Sequence, residues 1–179
     1  MMAVALFIAV SMLVSFNISE RREEKSDKIS QMVSDWERAK AYTQEYLNAS
    51  TDEVINFKPT PEMRTFGQQM LHLAEANYNL GSSASGKACP AAFGTLEKSD
   101  KHKTKDAVTK EVMASYDFVI AAAKEMTVPK MGEMVKVFNF DLSREATMNK
   151  VFEHQTHHRG QTTVYLRLKG ITPPNEKLF

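Results

Sequence analysis

Two histidines, His154 and His158, are the residues of this chain whose type and spacing point most directly to chemistry. They lie four residues apart in a segment with helical periodicity, so the two imidazoles are expected on one face of a helix, one turn apart. Two imidazoles in that arrangement can bind a single metal ion with little further ordering. His157 is three residues from His154, so spacing alone does not exclude it as a ligand.

The pattern around these histidines indicates that they face the interior of the fold. Residues at steps of three and four form a stripe with apolar positions on both sides of the pair: Thr147, Val151, His154, His158, Gln161, Tyr165 and Leu168. A buried imidazole needs a partner, and a metal ion is one of the few groups that satisfies two imidazoles at once. The alternatives are a surface histidine cluster and a pair hydrogen-bonded to polar core groups, since two-histidine spacings are common by chance.

A third candidate ligand, His72, lies in the middle of another helical segment. Its own helix face is polar and comprises Thr65, Gln68, Gln69, His72, Ala76 and Asn79. Such a face is either solvated or lines a polar cavity between helices, opposite His154 and His158. The remaining histidine, His102, lies in a charged stretch at residues 100–103 and is expected to be exposed.

Three charged residues near the histidines in sequence have competing interpretations. Glu153 directly precedes His154 and is therefore about 100° away around the helix, unlike the glutamate of His-Glu-x-x-His proteases. Glu75, three residues after His72, could orient that imidazole. For both carboxylates we expect a solvated surface position instead. Arg159 either binds an anionic substrate or pairs with a neighbouring carboxylate.

Four amphipathic segments must position these residues. The periodicity predicts helices at about 29–47, from 63 or 65 to 80, at 105–126, and from an N-cap at Asp141 or Ser143 to about 169. Gly81 is expected to end the second helix. Gly170, with prolines after it, is expected to end the last one.

The connections complete the predicted fold. Pro59 and Pro61 exclude a helix at residues 57–61, between the first two segments. Residues 82–103 form a link of 22 residues, longer than usual between adjacent antiparallel helices, which suits a crossover over the end of a bundle. Residues 135–140 fit a short strand or an extended strap. Four long helices without a convincing sheet predict an all-α fold, a four-helix bundle with a long crossover connection between helices 2 and 3.

Composition narrows the class of protein. The 179 residues suffice for one domain with a substantial core. A formal net charge of +1, without a basic stripe, disfavours nucleic acid as a partner. The single cysteine of the sequence, Cys89, excludes an internal disulfide and a cysteine-based zinc site.

The first sixteen residues carry no charge, which is typical of the apolar region of a secretory signal peptide. The run is too short for a membrane span of ~20 residues. No Lys or Arg precedes it and no Ala-x-Ala site follows it, so an N-terminal hydrophobic extension is the alternative. We therefore predict a signal peptide or extension at 1–19 and a bundle domain at 20–179. The protein is expected to be periplasmic or extracellular in the first case and cytoplasmic in the second, without stable membrane insertion beyond this segment.

Several of these features together resemble the DinB/YfiT-like superfamily. They are a histidine in the middle of the second helix, the sequence His154-x-x-x-His-Arg-Gly-Gln161, and the sequence Val164-Tyr-Leu-Arg-Leu-Lys-Gly170 with prolines after it. The resemblance extends loosely over residues 29–174. It implies a four-helix bundle with a divalent metal site of three histidines, which by position are His72, His154 and His158.

The resemblance also implies a range of chemistry. Three neutral nitrogen ligands suit a divalent transition metal, with Zn or Ni favoured, and leave open positions for water or a small-molecule substrate. A metal-dependent hydrolase or a low-molecular-weight thiol S-transferase is expected, and the substrate does not follow from the sequence. The alternative is a non-catalytic bundle that binds a metal or a partner. A homodimer is compatible with such bundles, although no sequence feature demonstrates one.

Overall fold

Four long helices form the frame of the protein in its computed structural model, which describes residues 27–179. The elements follow in the order α1 (27–49), α2 (Asp52–Asn56), α3 (Phe66–Ser85), α4 (Lys105–Lys124), α5 (Val128–Met131), β1 (Met134–Val137), β2 (Phe140–Ser143) and α6 (Arg144–Leu168). The third helix packs against both α4 and α6. The predicted four-helix bundle and its long crossover, here between α3 and α4, are confirmed.

The helix α1 joins the bundle through contacts with α4 and α6. Trp36 is buried, and its ring meets the rings of Tyr116 in α4 and Phe152 in α6 edge-on, at centroid distances of 5.9 and 5.3 Å. Two turns further along α1, the hydroxyl groups of Thr43 and Tyr116 lie 2.7 Å apart. The first helix is thereby fixed against the helix that carries two of the candidate ligands.

Local sequence signals fix the ends of the two helices that carry the histidines. Thr65 begins α3 with a capping box, in which its side chain accepts from the Gln68 N–H and the Gln68 side chain accepts from the Thr65 N–H. Ser143, one of the two predicted N-caps, accepts from the Ala146 N–H at the start of α6. Gly170 has a φ of 71° just after α6, where the sequence predicts its end.

The predicted end of the second helix at Gly81 is wrong. The helix α3 continues to Ser85 and ends at Gly86, whose φ of 77° is the left-handed conformation typical of a glycine stop. Gly81 has another purpose, because a Cβ there would lie 3.2 Å from Val119 Cγ2 and 3.3 Å from Phe118 Cε1. The absence of a side chain allows α3 and α4 to approach closely.

The end of the third predicted helix also differs slightly. The helix α4 ends at Lys124 rather than Met126. Pro129 follows this end and lies in the first turn of the short helix α5, where a missing backbone N–H costs no hydrogen bond. The one-turn helix α2 is likewise absent from the sequence prediction, since five residues are too few to show a period.

A β-hairpin occupies the segment predicted to be a strand or strap. The strands β1 and β2 pair antiparallel, with Val137 opposite Phe140, so that Phe138 and Asn139 form a two-residue turn. The second strand was not predicted. It leads directly into the Ser143 cap of α6, and the hairpin therefore lies at the start of that helix.

No helix within residues 27–179 has the length and apolarity needed to cross a bilayer. The predicted signal peptide or extension at 1–19 lies outside the described residues and stays a prediction.

Candidate metal centre

The three histidines predicted as ligands converge at the contact between α3 and α6. The ring centroids lie 4.4 Å apart for His154 and His158, 4.7 Å for His72 and His158, and 5.3 Å for His72 and His154. One nitrogen of each ring lies within 4.8 Å of the others. The structure thus brings together residues that are more than eighty positions apart in the sequence.

Packing of the two helices holds this arrangement. On α6, Val151 and Tyr165 are fully buried on the two sides of the histidine pair, and on α3 Met70 and Leu73 flank His72. Side chains that belong to rigid, packed helices keep their geometry without a bound ligand. The stripe prediction for α6 is correct as far as Tyr165, whereas Leu168, at the end of the helix, is exposed.

His158 is oriented by Gln69 of α3. Its Nδ1 donates to Gln69 Oε1 at 2.8 Å, because an amide oxygen can only accept. The amide group of Gln69 donates in turn to Gln161 Oε1 at 2.8 Å. With the proton fixed on Nδ1, the Nε2 lone pair of His158 is free for a metal ion.

His154 supplies the observation that best fits a bound ion. Its Nδ1 is buried, yet it has no hydrogen-bond partner among residues 27–179. Buried polar nitrogens in folded proteins are almost always bonded, so one that is not requires an explanation. Its position in a cluster of three imidazoles provides one, since a metal ion can be the partner of all three rings at once.

His72 lies beside carboxylates that it does not share with the other two rings. Its Nδ1 is 3.5 Å from Glu97 Oε2 and 4.0 Å from Glu75 Oε2, and its side chain is 19% exposed. These three residues are close enough to form a second potential ligand set. Glu97, however, is engaged by Arg64 at 2.6 Å. Its carboxylate holds Arg64, whose Nη2 lies 3.5 Å from the same Nδ1 of His72.

All three imidazoles are held in the neutral form that binds metals. Burial, followed by the effect of the neighbouring His72, lowers the pKa of His154 to about 4. Burial, followed by the effect of His154, lowers the pKa of His158 to about 3. Burial and Arg64 also lower the pKa of His72. At neutral pH no proton must leave these rings before a metal ion enters.

Glu75 is not the solvated carboxylate that was expected, because it is completely buried. Its two oxygens accept three backbone N–H groups of the crossover, those of Gly94 at 2.8 Å, Leu96 at 2.6 Å and Glu97 at 3.0 Å. At 4.0 Å it is too far from His72 for a hydrogen bond. Glu75 therefore acts on the site by fixing the loop beside it.

Glu153 is solvent-exposed, as expected, and is paired with Lys150 at 2.7 Å. This hydrogen bond lowers the pKa of Glu153. Glu153 lines a groove of about 350 Å³ between α1 and α6, whose apolar walls include Met32, Trp36 and Phe152. The groove contains none of the three converging histidines. Glu153 thus points away from the candidate centre.

Arg159 does not pair with a carboxylate, one of the two roles predicted for it. It is only 8% exposed, and no carboxylate of residues 27–179 lies within ion-pair distance of it. Its guanidinium donates to Gln155 Oε1 at 2.7 Å and lies 4.5 Å from the ring centroid of Tyr42. Hydrogen bonds and the aromatic face stabilise this buried cation, which links α6 to α1.

Arg64 and Glu97 were missed from the sequence, and the exposure of His102 was misjudged. Arg64 and Glu97 lie outside helices, where no periodicity reveals which way a side chain points. His157 lies outside the cluster of three, exposed, with its Nε2 2.6 Å from Gln161 Nε2. His102, expected to be exposed, is half-buried and lies 3.7 Å from Glu111.

The comparison with known families agrees with this architecture. The sequence model of the DinB family matches residues 24–178. The chain belongs to the DinB family. The resemblance predicted from the histidine motifs is thereby confirmed. This DinB protein is 26% identical over 152 residues to the uncharacterized protein YrdA of Bacillus subtilis (strain 168), a match that covers 82% of the chain and 86% of YrdA.

Solved structures share the same fold. A DinB-like protein from Bacillus cereus ATCC 10987 has a TM-score of 0.68 at 21% identity, covering 82% of this chain and 95% of its own. The DinB-like protein YjoA of Bacillus subtilis has a TM-score of 0.64 at 15% identity, covering 83% and 96%. A conserved protein of Enterococcus faecalis also has a TM-score of 0.64, at 14% identity, covering 78% and 95%. At these identities the likeness establishes the DinB fold alone.

Proposed function

We propose that this DinB protein binds a divalent transition metal through His72, His154 and His158 and uses it to activate a small molecule. The observation that carries the proposal is the convergence of three imidazole nitrogens within 4.8 Å, presented by two rigid helices. The unbonded, buried Nδ1 of His154 supports it independently. A surface cluster of histidines would show neither feature.

The donor set favours zinc or nickel. Three neutral imidazoles suit Zn²⁺ and Ni²⁺, whereas Mg²⁺ and Ca²⁺ prefer oxygen ligands. In the described part of the chain, no fourth His, Cys, Asp or Glu joins the group of three. Three protein ligands are typical of catalytic zinc sites, where the remaining position is left for water or substrate.

The reaction that we propose is nucleophilic, either hydrolysis or transfer of a low-molecular-weight thiol. A metal ion in this site supplies Lewis acidity, which makes water or a thiol a nucleophile at neutral pH. The side chain of His72 is 19% exposed, and we propose that a small molecule reaches the centre from this side. The protein itself contributes the orientation of His158 by Gln69.

Arg64 is the residue best placed to recognise a negative charge on the substrate. Its Nη2 lies 3.5 Å from His72 Nδ1, and Glu97 fixes its guanidinium. Arg159, by contrast, is buried on the side of α6 that faces α1. An anionic substrate group would therefore meet Arg64 rather than Arg159.

Metal content tests the proposal directly. Protein purified without an affinity tag is expected to contain about one equivalent of Zn or Ni by mass spectrometry, and His72→Ala, His154→Ala and His158→Ala are each expected to lose it. His157→Ala is the matched control, since that histidine is adjacent in sequence but outside the cluster, and it should retain the metal. Metal retained by all three cluster variants would refute the site.

Catalysis is tested separately on the metal-loaded protein. Panels of esters and amides, and of thiol–electrophile pairs, are expected to show turnover that His154→Ala abolishes. Stoichiometric metal without turnover of any panel would favour the non-catalytic alternative, a bundle that binds a metal or a partner.

A further inference from the structure

Two phenylalanines extend outward from the histidine cluster in a line of rings. Phe93, in the crossover between α3 and α4, lies 6.2 Å from the His72 ring centroid, with the planes tilted by 41°. Phe138, at the tip of the hairpin, lies 5.9 Å from the Phe93 ring at a tilt of 33°. The two are 38% and 66% exposed. We refer to Phe93 and Phe138 as the aromatic edge of the site.

The backbone of Phe138 is in a conformation that a bulky residue rarely adopts. Its φ is 52°, and no other non-glycine residue among residues 27–179 has a positive φ. It occupies the first position of a two-residue hairpin turn, where glycine is preferred when φ is positive. A large side chain in this region is strained, and such strained residues are commonly found at ligand-binding sites.

The fold gains little from the Phe138 ring in return. Two-thirds of the side chain remains exposed, so its burial stabilises the protein only weakly. A glycine would form the same turn without strain. The residue therefore makes more sense as part of a binding surface than as part of the core.

Hydrogen bonds anchor the two segments that carry the rings of the aromatic edge. The buried carboxylate of Glu75 accepts the N–H groups that directly follow Phe93, beginning with Gly94. At the base of the hairpin, Arg144 donates to the Glu133 carboxylate at 2.9 Å and to the Ala84 carbonyl, at the end of α3, at 2.6 Å. The two rings thus belong to segments anchored on the helix that carries His72.

We propose that Phe93 and Phe138 determine substrate specificity by stacking on an aromatic or other flat apolar group of the small molecule bound at the histidine cluster. The inference rests on the proposed function, because that cluster must hold the reacting group. Aromatic rings attract one another at centroid separations of 4.5–7 Å, and this range includes both spacings of the edge. The continuity of the edge with His72 favours a small-molecule occupant over a second protein.

Two chelators that differ by one ring provide the test. The full chain is loaded with Co²⁺, and the affinities of acetohydroxamate and benzohydroxamate are measured from the visible absorption of the cobalt. The wild type is expected to bind benzohydroxamate about tenfold more tightly, a ratio that corresponds to the burial of an aromatic ring. Phe93→Ala and Phe138→Gly are expected to lose most of this preference while binding acetohydroxamate as the wild type does.

Phe140→Ala is the matched control. Phe140 is on the same hairpin and is also 66% exposed, but it is not one of the rings that stack from His72 outward. Its removal should leave the preference intact. Phe138→Gly should in addition unfold at the same or a slightly higher temperature than the wild type, because the glycine relieves the strain at φ 52°.

The possible results separate the two proposals. Equal affinities of the wild type for both chelators, or an equal loss of preference in Phe140→Ala, would overturn the specificity assignment while leaving the metal site standing. A changed sedimentation coefficient in Phe138→Gly with an unchanged preference would assign the edge to an interface between copies and also overturn it. Failure of Co²⁺ to bind at all would overturn the proposed function, and the specificity assignment with it.

Discussion

At the scale of single residues, the candidate centre is a place where neutral imidazoles are favoured strongly over charged ones. Burial is the main cause of the lowered pKa at His72, His154 and His158 alike; the neighbouring imidazoles reinforce it at His154 and His158, and Arg64 reinforces it at His72. The same property has a cost in the absence of metal. The folded protein resists protons that the unfolded chain accepts.

The metal-free protein is therefore expected to lose stability as the pH falls from about 6.5, the pKa of an unperturbed histidine. Below that pH the unfolded chain binds protons on these residues, whereas folded His154 does so only near a pKa of about 4 and His158 near a pKa of about 3. Proton uptake by the unfolded state lowers the free energy of unfolding by at most about 1.4 kcal/mol per pH unit for each histidine.

Urea denaturation of EDTA-treated protein at pH 7.5, 6.0 and 5.0 measures this loss. His158→Gln, whose amide can still donate to Gln69, removes one titrating group and should lose less stability over the same interval. A pH dependence identical to that of the wild type would contradict the assignment.

At the scale of elements, regular helices were predictable and the segments around them were not. The stripe on α6 carries a period of 3.6 from Thr147 to Tyr165, and a serine cap and a glycine stop mark its ends. A pattern of this length fixes which face is buried. The cluster of His72, His154 and His158 followed once the family resemblance had paired α6 with α3.

The same reasoning failed where tertiary contacts decide the outcome. Glycine is typical of the end of a helix, but Gly81 instead permits the close packing of α3 on α4, which no local signal reveals. Arg64, Glu97 and Phe93 reach the site from irregular segments, in which spacing carries no information about direction. The burial of Glu75 depends on N–H groups of a loop some twenty residues later.

The crossover offers a test at this scale. Glu75→Gln should destabilise the protein by about 2–3 kcal/mol, because the new amide group faces backbone donors that a carboxylate accepts. Hydrogen exchange at Gly94, Leu96 and Glu97 should accelerate selectively. Glu153→Gln, the same change at an exposed carboxylate, is expected to alter stability by less than about 0.5 kcal/mol. Unchanged exchange in the loop of Glu75→Gln would show that Glu75 does not hold the crossover.

At the scale of the whole molecule, the candidate centre lies across the contact of α3 with α6, at which much of the bundle is joined. A metal ion held by residues of both helices would bind the folded state and not the unfolded chain. Stability should therefore depend on metal concentration by mass action.

Addition of Zn²⁺ or Ni²⁺ to EDTA-treated protein is expected to raise the melting temperature by roughly 5–10 °C. Free ion at 100 times its dissociation constant contributes ~2.7 kcal/mol, and a domain of this size gains about 2–4 °C for each kcal/mol. Differential scanning calorimetry should show no such rise with Mg²⁺, which prefers oxygen ligands. An equal rise in His72→Ala would mean that the stabilising ion binds elsewhere.

The distribution of the three histidines over two helices also bears on the order of events during synthesis. His72 leaves the ribosome long before His154 and His158, which lie on the last helix of the chain. A growing chain first contains one of the three candidate ligands and gains the other two almost together. The three rings meet only after α6 has docked on α3. On the proposed function, metal loading is the final step of maturation. A truncated chain that lacks α6 is therefore expected to bind no metal ion at this site.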